Sequence, residues 1–333
     1  MCIKDYSKDI LRTIFAITIG LLISKYTNLS FNFQIPVVAF GVVTSMTYFS
    51  LKIFLKNYLW TGIFATIGLS VSEIFRDKFL LFSLATFIFF FTCFFLSSRY
   101  QNAVRSGILG YSFTTIYSTY SDKIVENMVT DIFTVTFIGG MIGCLLLYIF
   151  PKKKEECKIS AITSNENIHP SFLTALKITI IVFTIWILYM IFDIRDTFFA
   201  YATLAGIYTN LNLDKIHKLS FLNIFIHVLG CTIAIIFSFL INGIGNNPII
   251  FSLGIMLFFY PLIYLGYYGD TPYKRGFYFG VVRATILPIC LYLSPYGDIV
   301  TRASSRAIQI TIMLLFSMLL TRLILFIEGD SNE

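Results

Sequence analysis

Two ionisable side chains stand inside otherwise apolar stretches of this sequence. Arg283 lies in "GVVRATILPIC", five residues before Pro288, and His227 opens "HVLGCTIAII". A charged side chain at the centre of a membrane helix costs about 2.5 to 3.5 kcal/mol on insertion scales, so each needs a reason. A guanidinium offers two parallel donors to a carboxylate, and an imidazole exchanges a proton near neutral pH. We expect both to contact an anionic substrate. A structural ion pair or snorkelling to a lipid headgroup stays open for Arg283, and a hydrogen-bonded packing role stays open for His227.

Four further charged residues are candidates for moving an anion. Arg105 and Arg275 precede apolar segments and could form a basic cytoplasmic funnel, although a plain excess of cations on that side explains them equally well. Asp131 and Arg306 open the last apolar segment of each half of the chain. We expect these two to face each other as a gate, with solvated helix-start residues as the alternative.

Several function classes lack their motifs. There is no GxxxxGK[ST] phosphate loop and no HExxH zinc motif, and the six Cys form no CxxC pair. Asp193 and Asp196 around Arg195 form no recognised acid and base arrangement. We therefore expect no metal, no cofactor and no enzymatic activity.

Composition defines the class of the chain. It is 57% hydrophobic and 13% charged, which leaves too little polar surface for a soluble globule of 333 residues. We expect an all-α polytopic membrane protein with about twelve transmembrane helices. The predicted spans are 10–27, 31–50, 53–74, 79–98, 102–120, 129–150, 172–192, 196–210, 219–242, 248–268, 276–293 and 305–327.

The polar stretch 151–170 is the one segment that has the composition of a linker. Most Lys and Arg lie at the ends of the predicted spans on the side that holds this linker and the N-terminus. The positive-inside rule then places the linker and both termini in the cytoplasm, with no cleaved signal peptide. The net charge of +7 is read as this topology signal plus attraction to anionic lipid, and not as binding of nucleic acid.

The two sides of the linker are similar in sequence. "LRTIFAITIG" at 11–20 returns as "LKITIIVFTI" at 176–185, and "LWTGIFATIG" at 59–68 returns as "HVLGCTIAII" at 227–236. "VRSGILGYSF" at 104–113 likewise returns as "YKRGFYFGVV" at 273–282. We expect a tandem duplication of two six-helix units, 1–150 and 171–333, with a binding cleft between the repeats. Arg12 and Lys177 are then mainly anchors at the inner face.

These features resemble the fusaric acid resistance and aromatic-acid exporter superfamily of bacterial inner-membrane proteins. That family has a basic residue early in each unit and an Arg-x-x-Gly-Thr-x-x-Gly pattern in the third helix. Gly62 and Gly230 match its first Gly, whereas Leu59 and His227 stand at its Arg position. The resemblance implies export of organic acids across the cytoplasmic membrane, often beside a periplasmic adaptor protein.

The expected function is therefore a transporter or efflux component for small organic anions, aromatic carboxylates among them. Three alternatives stay open: an anion channel, a membrane-embedded transferase acting on a lipid-linked substrate, and a structural subunit of an export complex.

Overall fold

The computed structural model describes residues 6–27, 29, 31–46, 50–75, 77–118, 125–151, 171–192, 198–209, 213–241, 247–292 and 298–330. These residues form helices and contain no strand, which confirms the predicted all-helical class. The helices are α1 (Ser7–Tyr26), α2 (Gln34–Ser45), α3 (Leu51–Ile74), α4 (Phe79–Ser118), α5 (Val125–Ile149), α6 (Phe172–Phe192), α7 (Phe198–Tyr208), α8 (Leu213–Ile241), α9 (Pro248–Tyr268), α10 (Pro272–Tyr292) and α11 (Ile299–Asp330). Apart from Pro151, the predicted linker lies outside the described residues.

The chain is a multi-pass helical membrane protein. Within the described residues, six helical segments are long and apolar enough to cross a bilayer: Phe79–Ser97, Val129–Ile149, Phe172–Ile191, Ile216–Ile241, Pro248–Tyr268 and Ile299–Phe326. The other predicted spans fall on helices that are shorter or more polar. The α2 helix has 12 residues, about 18 Å, which is well below the ~30 Å hydrocarbon core. The total of twelve spans therefore stays a prediction.

The α4 helix differs from the two helices predicted at 79–98 and 102–120, because the structure joins them in one helical segment of 40 residues. The segment nevertheless folds back on itself. The rings of Phe89 and Tyr111 stack with centroids 3.8 Å apart, and the hydroxyls of Thr86 and Tyr111 lie 3.0 Å apart. In a straight helix, residues 89 and 111 would be separated by about 33 Å. The reversal therefore lies between them, and α4 consists of two antiparallel arms.

Capping residues define the starts of two helices. Before α9, Asn247 Oδ1 accepts the backbone N–H of Ile249 at 2.9 Å, and Pro248 follows at the first helical position. Before α11, Asp298 Oδ1 accepts the backbone N–H of Thr301 at 3.1 Å, and Oδ2 accepts its hydroxyl. These bonds, the hydroxyl's first, lower the pKa of Asp298. The cap explains why α11 begins earlier than the predicted residue 305.

The chain divides into two compact units. Unit 1 comprises Met1–Phe54, Asp131–Asn165 and Phe225–Ala307. In it, α1 packs against α2, α9 and α10. One core cluster joins α1 to α8, α9 and α10 through fully buried residues such as Ile17, Ala234 and Ile263, and a second joins α1 and α2 to α5.

Unit 2 comprises Leu55–Thr130, Glu166–Ile224 and Ile308–Glu333. Here α6 and α7 pack against α4. The fully buried Trp186 of α6 stacks on Phe183 and meets Phe82 edge-on, and its indole N–H donates to Thr115 Oγ1 at 3.3 Å. The Tyr208 hydroxyl of α7 lies 2.8 Å from Thr321 Oγ1 of α11. Each unit thus combines helices from both sides of the linker.

Glycines permit the closest helix approaches in unit 1. A Cβ added to Gly20 of α1 would lie 2.5 Å from Pro36 Cα of α2, and one on Gly139 of α5 would lie 2.6 Å from the Ile35 carbonyl oxygen. Both contacts involve backbone atoms, which cannot rotate away. By contrast, a Cβ on Gly41 of α2 would have no neighbour within 4 Å.

We predict that Gly20→Ala destabilises the protein because α1 must move away from α2. Overpacking of this kind costs about 1 to 3 kcal/mol. The matched control is Gly41→Ala, which fills open space and replaces a mid-helix glycine, so its stability should be unchanged or slightly higher. Thermal unfolding of purified protein in detergent measures the difference. Equal midpoints for the two variants would contradict the α1–α2 contact.

Candidate functional site

Three of the predicted site residues come together in unit 1. His227 of α8 and Arg306 of α11 are buried, with 7% and 1% of their surface exposed. Ala284, next to Arg283, packs against Gly230 of α8, and Ala303, one turn before Arg306, packs with Cys231 of α8. Both arginines therefore lie near the His227 turn and act on its imidazole electrostatically. Arg306 acts in the same way on the neighbouring Cys231 thiol. Two guanidiniums and an imidazole from three helices therefore share one region of the unit.

The α8 and α10 helices meet through small residues beside this cluster. A Cβ on Gly230 would lie 2.5 Å from Ala284 Cβ, and a Cβ on Gly280 would lie 2.8 Å from Ile226 Cδ1. His227 directly follows Ile226, and Arg283 directly precedes Ala284. The contact between α8 and α10 therefore places the backbone of His227 and of Arg283 next to the interface.

Arg283 differs from the other two residues in its exposure. Its side chain is exposed, although the atoms packed around it remove part of its solvation. In the part of the chain that the structure describes, Arg283 forms no hydrogen bond or salt bridge. One turn further along α10, the buried Pro288 has no N–H to donate to the carbonyl of Ala284. The carbonyl of Ala284, the residue after Arg283, therefore lacks its helical partner.

Arg306 is positioned by the first turns of α11. Asp298 caps this helix, and Ala303, one turn before Arg306, packs with Cys231 and Tyr292 in a small buried cluster. Arg302, one turn before Arg306, is exposed, and its guanidinium lies 5.9 Å from the centroid of the Tyr292 ring. Two arginines four residues apart thus occupy different environments.

The predicted gate between Asp131 and Arg306 stays a prediction. Asp131 is half-buried in α5, and within the described ranges it forms no salt bridge with Arg306.

The two predicted funnel residues have different outcomes. The Arg105 side chain lies outside the described part of the structure. Arg275 is exposed, and its Nε donates to the Gly269 carbonyl at 2.8 Å, while Lys274 Nζ lies 3.1 Å from Asp270 Oδ2. These bonds close the short turn between α9 and α10, which is a local structural role for Arg275. The funnel itself stays a prediction, and so does the reading of Asp193 and Asp196, which lie outside the described residues.

Arg12 is held by a network at the start of α1. Its guanidinium, fully buried, pairs with Asp9 and donates to the Phe150 carbonyl at 2.7 Å. One residue on, Thr13 Oγ1 lies 2.8 Å from the Tyr267 hydroxyl of α9. Arg12 therefore ties the start of α1 to the end of α5, as expected of an anchor. The Asp9 partner was missed from the sequence, although a spacing of three residues on a helix indicates such a pair.

We predict that Arg12→Gln strongly destabilises the protein, because it leaves the Asp9 carboxylate buried without its cation. Breaking a buried pair from one side costs about 3 to 5 kcal/mol. Thermal or denaturant unfolding should show that Asp9→Asn combined with Arg12→Gln costs less than the sum of the two single changes. The control is Lys274→Gln, which breaks an exposed pair with Asp270 and should change stability by less than about 1 kcal/mol. Additive effects of Asp9→Asn and Arg12→Gln would contradict the pairing.

Among the described residues of unit 2, the buried polar side chains are uncharged. The buried hydroxyls of Thr86, Tyr111 and Thr115 lie there with the Trp186 indole and the fully buried Tyr201. The sequence did not single out this cluster, because its members are scattered over three helices. Neutral donors of this kind stabilise packing but attract an anion less strongly than a guanidinium does.

No group of three His, Cys, Asp or Glu that could hold a metal ion occurs among the residues that the structure describes.

Comparison with known proteins gives one match. Residues 9–147 match the model of a family described as "Protein of unknown function (DUF2955)". The match runs from α1 into the last turn of α5 and covers less than half of the chain. No curated protein and no solved structure matches. The fold therefore defines the class, a polytopic helical membrane protein, which is consistent with a membrane transporter in general, and no particular activity is assigned by similarity.

Proposed function

We propose that the chain is a transporter or efflux component for small organic anions, aromatic carboxylates among them, in the bacterial cytoplasmic membrane. The observation that carries the proposal is the cluster of Arg283, Arg306 and His227, built from three helices of a membrane protein. Holding a cation such as Arg283 among apolar helices is costly, and an organic anion is a ligand whose binding offsets that cost. The resemblance to exporters of aromatic acids points to the same substrate class.

In the proposed mechanism, Arg283 is the first contact of the substrate carboxylate. It is the exposed member of the cluster, so an anion reaches it without prior rearrangement, and its planar fork binds both carboxylate oxygens. The buried Arg306 adds positive potential behind it. His227 can hydrogen-bond the anion through a ring nitrogen. The proposed driving force is the proton gradient.

The packing of the helices supports the proposed tandem duplication. In unit 1, α1 and α2 pack against α9 and α10; in unit 2, α6 and α7 pack against α4, whose two arms take the places of α9 and α10. Residues 9–147, which match a family model, nearly coincide with the proposed first repeat at 1–150. Duplicated helical units are a common basis for alternating access in secondary transporters.

The Arg12 contact supports the proposed orientation. It brings the start of α1 and the end of α5 to the same side, and the lysine-rich stretch that follows Phe150 is then on the side of the N-terminus. The positive-inside rule makes this side cytoplasmic. A periplasmic adaptor is the proposed protein partner, on the resemblance alone.

We predict that Arg283→Gln lowers carboxylate export at least tenfold, because a charge-assisted bond contributes about 1.5 to 3 kcal/mol. Retention of radiolabelled aromatic and aliphatic carboxylates is measured in cells that express wild type, Arg283→Gln or no protein, with and without a protonophore. The wild type should lower retention, and the protonophore should restore it. Arg283→Lys, which keeps the charge without the planar fork, should retain partial activity.

The matched control is Arg302→Gln, which removes an exposed arginine from the same unit and should leave export unchanged. Export by Arg283→Gln at the wild-type rate and equal protein level would remove Arg283 from the site. Equal retention in wild-type and empty-vector cells across the panel would contradict the transporter and favour the transferase or complex-subunit alternatives.

A further inference from the structure

The contact between α8 and α10 has a reciprocal pattern. On each helix one larger residue and one glycine are separated by a single turn: Ile226 and Gly230 on α8, Ala284 and Gly280 on α10. Ile226 fits against Gly280, and Ala284 fits against Gly230. Since the pairs follow the same order along both helices, α8 and α10 run parallel here. These two contacts fix the register of α8 against α10 over two adjacent turns, and His227 and Arg283 lie beside them.

The two glycine contacts differ in kind. A Cβ on Gly230 would also lie 2.9 Å from the Ala284 carbonyl carbon and 3.1 Å from the Thr285 nitrogen. These are backbone atoms, so only a shift of a whole helix could make room. A Cβ on Gly280 instead meets the flexible end of the Ile226 side chain at 2.8 Å. Gly230 therefore sets the distance between the two helix axes, whereas Gly280 only accommodates a side chain.

We infer that Gly230 is a positioning residue of the proposed anion site, because it fixes the separation of His227 and Arg283 that one carboxylate bridges. This inference rests on the proposed function. Gly230 touches no substrate itself; it acts through the spacing of α8 and α10. Sites built between helices are sensitive to such spacing, since hydrogen bonds weaken steeply over a few tenths of an ångström to an ångström.

The first test is a size swap. Gly230→Ala should raise the half-saturation concentration for the exported carboxylate at least tenfold while the maximal rate falls by less than threefold. In Gly230→Ala, the new methyl group clashes first with the Cβ of Ala284. Adding Ala284→Gly removes that Cβ and should recover most of the affinity. Gly276→Ala is the matched control on α10, since a Cβ there would have no neighbour within 4 Å, and it should behave as wild type.

A second pair of substitutions, with a smaller expected effect, tests the inference if Gly230→Ala fails to fold. Gly280→Ala should weaken affinity in the same direction but less, and Ile226→Val, which shortens the contacting side chain, should reverse the effect. Unchanged half-saturation in both glycine variants would overturn the inference. A swap that restores thermal stability without restoring affinity would overturn it too, because the role of Gly230 would then be structural only.

The second measurement does not depend on transport. In a protein whose six native Cys are replaced by Ala, His227→Cys and Arg283→Cys are joined by thiol cross-linkers of graded length. Adding Gly230→Ala should shift the most efficient linker to a longer one, and adding Ala284→Gly as well should shift it back. An identical length profile in all backgrounds would overturn the spacing role. If the cross-linking profile shifts but wild type shows no carboxylate flux, the proposed anion site is overturned, whereas the role of Gly230 in helix spacing is retained.

Discussion

The structure depends on how closely its helices can approach one another. Inside a bilayer, apolar surface gains little by leaving lipid for another helix, so association relies on van der Waals packing and on hydrogen bonds between helices. The glycines supply the packing. Gly20 lies against Pro36, Gly230 against Ala284, and Gly68 of α3 against Tyr111 and Thr114 of the second arm of α4. Wherever one of these contacts occurs, backbone faces backbone and the helices have one distance available to them.

The charged residues use that rigidity in two ways. Arg12 has a matched partner, because Asp9 on the same helix neutralises it and the Phe150 carbonyl takes a further N–H. The charge of Arg12 therefore stabilises the contact between the start of α1 and the end of α5. Arg283 and Arg306 lie near the His227 imidazole of a third helix, where an anion in the proposed site would meet two positive charges. In unit 2, hydroxyls such as those of Thr86 and Tyr111 occupy the interior and do not select for charge.

The helical class and most helix positions could be predicted from the sequence, because long apolar runs have few other solutions in a membrane. The merging of two predicted helices into α4 could not be predicted, since no Gly or Pro between residues 98 and 102 marks the reversal. The early start of α11 was missed because the cap formed by Asp298 lies in a polar loop that hydropathy ignores.

For the candidate site, Arg283 and His227 were found from the sequence because an ionisable residue in an apolar run is unusual. Their proximity was not predicted, since residues 227 and 283 are far apart in the chain. They are brought together only by the packing of Ile226 against Gly280 and of Gly230 against Ala284. Arg306 was assigned to a gate, and the structure places it near His227. Helix registry is decided by side-chain shape, which composition and periodicity do not report.

The most direct test of this account is binding of radiolabelled benzoate to the purified protein in nanodiscs, with benzyl alcohol as the neutral competitor. The account predicts saturable binding that unlabelled benzoate displaces and benzyl alcohol does not, and an affinity at least tenfold lower in Arg283→Gln than in wild type or Arg302→Gln. No saturable binding by wild type, or equal affinity in Arg283→Gln, would contradict the claim that the cluster of Arg283, Arg306 and His227 is an organic-anion site.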